Sequence, residues 1–154
     1  SLGGGVALQL ALDPPSALAG IAMVASSARL RVSTAILDAV EASSPEGPFR
    51  LDFAFKDAAV AERYAGCATA PRAASRADWT ACDGFDVRER LHAIDLPVLV
   101  VHGDADPLTP AKHQQSLVDA VPNGQRVCIE GGGHMIPWEQ PTEVANAVRE
   151  WIVS

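Results

Sequence analysis

Three side-chain types that together activate a hydroxyl occur in this chain, each beside glycine. A serine heads Ser1-Leu2-Gly3-Gly4-Gly5, two aspartates sit in Gly103-Asp104-Ala105-Asp106-Pro107, and a histidine ends Gly132-Gly133-His134. A serine hydroxyl attacks a carbonyl only when a base removes its proton, and an imidazole does this best when a carboxylate orients it. Nucleophile, acid, base is one of several chain orders in which such triads occur. The implied chemistry is acyl transfer through a covalent intermediate.

The surroundings weigh each candidate. A nucleophile must project from a tight strand-to-helix turn, and Gly3, Gly4 and Gly5 are the tiny neighbours such a turn needs. That turn puts Ser1 at a helix N-terminus, where the Leu2 amide is one oxyanion donor. Taken alone, S-x-G-G is short, and a serine at a cut site reads as well. Asp104 and Asp106 both follow the apolar run Val98–Val101, at the end of a strand where open α/β sheets keep their sites. Either could orient an imidazole; the other would serve the loop or cap the helix that Pro110 opens. His134 is the sharpest single residue, since a histidine in a glycine loop is poor core filler. His92, His102 and His113 read as surface or strand-end histidines, and Glu130 and Glu139 as local caps or ion pairs. No histidines and carboxylates show metal-ligand spacing, and no G-x-G-x-x-G follows a strand. The expectation is neither metal nor cofactor.

The positioning elements follow from pattern. Residues 6–12 predict a helix stopped by Asp13-Pro14-Pro15. Residues 18–25 predict a short strand buried on both faces, 96–103 a clearer strand, and 125–131 a third. Helices are predicted over 110–121 and 142–153, the latter with Val144, Val148 and Trp151 on one face. Strand and helix alternate, so the sheet is parallel. Residues 27–91 interrupt that rhythm with helical stretches near 32–40, 58–64 and 74–82 and a loop at 43–48. So long a connection predicts a mostly helical insertion over the sheet end.

Composition narrows the partners. The 154 residues suit one domain with a real core, and a net charge of -7 argues against nucleic acid and anionic membrane surfaces. No apolar run nears the roughly 20 residues that span a bilayer. Cys67, Cys82 and Cys128 form no CxxC pair and read as reduced, buried small hydrophobes, which points to the cytoplasm.

At the level of whole motifs the chain resembles the α/β-hydrolase superfamily, in its large branch of esterases, carbon–carbon bond hydrolases and cofactor-free perhydrolases. The resemblance lies in Ser1-Leu2-Gly3-Gly4, in residues 96–110 from Leu96-Pro97-Val98 to Leu108-Thr109-Pro110, and in residues 129–141 around Gly133-His134. It implies the C-terminal part of that fold, beginning at the nucleophile-elbow serine: three parallel strands, flanking helices and a helical lid at about 27–91. It selects Asp106, three residues after the strand-end glycine, over Asp104, and matches Gly133 to the loop glycine before the histidine. Asp78, Cys82 and Phe85-Asp86 resemble the segment returning from lid to sheet. A full member has about eight strands, so the second oxyanion donor falls outside this sequence and residues 1–154 alone are expected to be inactive. The reading is a serine hydrolase with triad Ser1, Asp106 and His134, acting on a small, mainly hydrophobic ester or thioester. The alternatives are a carbon–carbon bond hydrolase or perhydrolase, an N-terminal nucleophile hydrolase, and a non-catalytic binding domain that kept the fold.

Overall fold

A computed structural model describes residues 1–13, 17–43, 49–67 and 70–154. Three strands form one parallel sheet in the order β1 (Ile21–Val24), β2 (Val98–Gly103), β3 (Gly124–Ile129). Ile21 pairs with Val98 at the start of β1, and Val98 in turn with Gly124. β2 is buried throughout, as a central strand of apolar residues must be.

Alternate residues of β2 serve two cores. Val98 and Val100 face Leu8 of α1 (Leu2–Leu12), Leu91 of a 3-10 turn (Arg88–Ala93) and Leu117 of α5 (Ala111–Ala120). Leu99 and Val101 face Ala147 of α7 (Pro141–Val153) and Ile136 of the short α6 (Ile136–Glu139). Val144, Val148 and Trp151 pack on this second core, as their helical spacing predicts.

Several expectations shift. The first helix begins at Leu2 rather than at residue 6, taking Gly3, Gly4 and Gly5 into its first turns. Close packing explains two of these glycines: a Cβ on Gly4 would fall on Ser26, and one on Gly5 would press Leu30 and Phe85 at 3.3–3.4 Å. β1 is buried mainly on one face, with Ile21 and Met23 inside and Ala22 exposed. It is an edge strand, and α7 packs on β2 and β3. β3, the other edge, is buried only at Ile129 and leaves Cys128 exposed. Cys67 is exposed too; all three cysteines are free, and only Cys82 is the buried hydrophobe expected. The third strand stops at Ile129 because the chain turns at Gly131, whose φ of +66° suits glycine.

Between β1 and β2 the described residues hold α2 (Thr34–Ala42), a 3-10 turn (Asp52–Ala54), α3 (Ala58–Cys67) and α4 (Arg72–Gly84), and no strand. The expected loop at 43–48 lies outside the described residues beyond Ser43. Both ends of this helical segment meet at a neck: Arg29 and Asp86 form an antiparallel bridge, Leu30 N–H donates to Phe85 O and Val87 N–H to Ala28 O. Among the described residues no helix is long and apolar enough to cross a membrane.

Candidate active site

The loop after β2 builds its acid from backbone outward. Asp106 Oδ1 accepts the Leu108 and Thr109 amides at 2.8 and 2.9 Å, and Oδ2 accepts the Thr109 hydroxyl at 2.5 Å. The carboxylate also meets His134 Nδ1, at 2.9 Å through Oδ2 and 3.1 Å through Oδ1. Asp106 and His134 are 5% and 7% exposed. Burial alone would raise the Asp106 carboxyl, but the His134 hydrogen bond and charge, with the Thr109 bonds, outweigh it and hold it at about 2. An ionised Asp106 accepts only, so Nδ1 donates, and in the neutral imidazole Nε2 is the acceptor.

Asp104 does different work. Its Oδ1 accepts the Gly131 amide at 2.7 Å, and the Ala105 amide donates to Gly132 O at 3.0 Å. These bonds tie the loop after β2 to the loop that presents His134. The two loops approach so closely that a Cβ on Gly103 would lie on the Gly132 backbone. The helical segment also rests on the histidine loop. Lys56 Nζ donates to Gly131 O at 2.6 Å, its amide donates to Glu139 Oε1 at 2.5 Å, and Tyr64 stacks edge-on against Trp138 at 5.3 Å. Glu139 therefore does not pair locally, as its position suggested it would, but accepts a backbone amide of the distant helical segment.

Ser1 precedes α1, and its carbonyl accepts the Ser26 hydroxyl at 2.6 Å and the Gly4 amide at 3.0 Å. The end of β1, where Ala25 takes φ +47°, therefore holds the serine turn in place. Ser1 and His134 line the same two cavities, though no hydrogen bond joins the hydroxyl to the imidazole among the described residues. Unliganded sites often hold such pairs loosely. Leu2, at the first helical position with no intrahelical acceptor for its amide, lines the second cavity.

The first cavity, about 420 Å³, runs past Leu30, Ile36, Leu91 and Leu117, and the second, about 340 Å³, past Phe49, Tyr64 and Asp78. Trp79, Cys82 and Leu108 line both, so they form the wall where the lobes meet. Burial pushes the Cys82 thiol up, keeping it protonated. The other histidines divide: His92 is exposed, His102 is buried with its imidazole pushed down by burial, and His113 is exposed but lines the first cavity. Among the described residues no group of three or more His, Cys, Asp or Glu is disposed to hold a metal ion. Sequence reasoning missed Thr109, Lys56 and Ser26, which act through bonds to residues distant in sequence or through plain loop positions.

The profile of the serine aminopeptidase S33 family matches residues 1–141. The chain belongs to that family. It shares the α/β-hydrolase fold with solved structures, among them a thermophilic esterase from Thermogutta terrifontis (malate bound), at a TM-score of 0.77 and 26% identity. That match covers 99% of this chain and 62% of the esterase. A sequence from Synechocystis sp. assigned as a non-heme chloroperoxidase is 38% identical over 60 residues, 38% of this chain and 22% of that protein. The proline iminopeptidase of Lactobacillus delbrueckii subsp. lactis is 30% identical over 71 residues, 46% of this chain and 24% of the relative. The chain thus spans about a quarter of the length of these relatives.

Proposed function

We propose that this S33-family chain carries the triad of a serine hydrolase that transfers the acyl group of a small, mainly apolar ester or thioester to water. The observation that supports it most is the buried Asp106–His134 pair, opening on cavities that Ser1 also lines. Ser1 Oγ attacks the carbonyl carbon while His134 Nε2 takes its proton. The Leu2 amide, at the positive end of α1, stabilises the oxyanion. Collapse of the tetrahedral intermediate expels the alcohol or thiol, which takes the proton from Nε2 and leaves an acyl-serine. Water then attacks that ester with Nε2 as base, and Ser1 is restored. Asp106 stays ionised, fixing the tautomer and stabilising the imidazolium. The helical segment acts as the lid that shapes the two lobes, one for each side of the scissile bond.

A second reading, amide hydrolysis at an amino terminus, draws on the family's description and on Asp78. That carboxylate lines the second lobe and could meet a substrate ammonium. Assaying the full-length protein on 4-nitrophenyl butyrate and on proline 4-nitroanilide tests both. Ester turnover at least about a hundredfold above anilide turnover supports the first reading. The reverse order, with loss on Asp78→Asn, supports the second. Turnover of neither, or turnover insensitive to His134→Ala, leaves neither standing.

A further inference from the structure

The first lobe is lined by three arginines, Arg29, Arg31 and Arg88, and among the described residues by no aspartate or glutamate. In a chain of net charge -7 this is a local inversion of sign. The counter-charge beside it is Asp86, 2.7 Å from Arg88 and 3.6 Å from Arg29. One carboxylate therefore serves two guanidiniums, and the third has no hydrogen-bond or ion-pair partner among the described residues. The nearby Asp83 spends Oδ1 on the Val32 amide at 3.0 Å. Asp86, Asp83 and Glu89 stand behind these guanidiniums but none of the three lines the cavity, so the face turned to Leu30, Ile36, Leu91 and Leu117 is cationic.

Such a lining repels an ammonium and attracts an anion, and guanidinium geometry matches a carboxylate by two parallel hydrogen bonds. The backbone supports this as a built feature. Residues 29–31 run extended beside the neck, so Leu30 turns inward and is buried while Arg29 and Arg31 remain exposed on either side of it. The Arg29–Asp86 bridge brings Arg88 to the same wall from the far end of the helical segment.

We propose that this lobe takes an ester whose apolar acyl or alcohol chain ends in a carboxylate, recognised by Arg31 and by the Arg29–Asp86–Arg88 group. The proposal rests on the acyl-transfer reading of Ser1 and His134 and names its substrate class. The remote carboxylate supplies binding energy and register, placing the carbonyl at Ser1.

The test compares mono(4-nitrophenyl) glutarate with its neutral isostere, 4-nitrophenyl valerate, on the full-length protein. At low salt kcat/KM for the glutarate ester exceeds that for the valerate by about tenfold or more. The ratio falls toward one in about 1 M salt, where the screening length is about 3 Å. Arg31→Gln lowers the ratio about tenfold, the worth of one partly exposed charge-assisted contact. Arg31→Lys restores part of it, and Arg149→Gln on the distant α7 keeps the wild-type ratio. A wild-type ratio at or below one, or one that Arg31→Gln leaves unchanged, overturns the proposal. In that case valerate turnover abolished by His134→Ala still supports acyl transfer. If neither ester is turned over, acyl transfer fails and calorimetric titration with glutarate decides the lobe. Saturable, salt-sensitive binding weakened about tenfold by Arg31→Gln supports it, and no saturable binding refutes it.

Discussion

Asp106, after β2, and Asp86, at the neck of the helical segment, are both held down to about 2, by opposite means. Asp106 is buried, and two amides, a hydroxyl and an imidazole converge on it, so backbone geometry sets its position. The Asp86 side chain is 38% exposed and depends first on its hydrogen bond to Arg88, a long side chain in water. Salt screens the second arrangement and hardly touches the first. Rigidity is concentrated at the pair to which the proposed reaction assigns the proton transfer. The wall that would meet a substrate is held by ion pairs that exchange readily.

The largest expected break in that comparison is catalytic. In the full-length protein His134→Ala lowers ester turnover at least about a thousandfold, and Asp106→Asn by a similar order, because the members act as a unit. Circular dichroism of both variants stays native. Asp104→Asn, which weakens a loop bond without touching His134, costs less than about tenfold. Equal losses at the two aspartates would mean that loop anchoring, not imidazole orientation, limits the rate.

Next come the glycines that let the loops meet. Gly103→Ala sets a methyl on the Gly132 backbone and costs about 2–3 kcal/mol as overpacking, read by urea unfolding. Gly3→Ala meets nothing within 4 Å and stabilises α1 by about 0.5–1 kcal/mol. A reversed order would contradict the packing described for both.

A smaller effect separates the carboxylates by pH. The folded pKa of Asp106, about 2, lies below its unfolded value near 3.9. Its contribution is therefore complete above about pH 5 and is lost as pH falls toward 2, by about 2 kcal/mol. Asp106→Asn removes that part of the acid-unfolding slope. Smallest of all is Asp86→Asn, whose effect on stability fades in about 1 M salt, whereas the Asp106 contribution persists there.

The legible parts of this molecule were those where one physical demand dominates. Val98–Val101 can only be a central strand, and the glycines before Asp104 and before His134 mark the two loops that carry the acid and the base. Gly3–Gly5 set the predicted helix start too late, at residue 6, because their low helix propensity conceals that Gly4 and Gly5 pack closely on Ser26 and Phe85. One-sided burial of β1 depends on α7 lying over β2 and β3 instead, a tertiary fact. The arginine wall was harder still. Arg29 and Arg31 alternate around Leu30 in sequence, a visible signal, but Arg88 joins them only through the neck bridge.

The most direct test of the central assignment is covalent. Full-length protein is treated with a fluorophosphonate and the adduct is located by peptide mass spectrometry. The account predicts a single phosphonylated residue, Ser1, with labelling absent in Ser1→Ala and slowed at least about a thousandfold in His134→Ala. An adduct on Ser26 or Ser27, or no adduct while ester turnover persists, would contradict it.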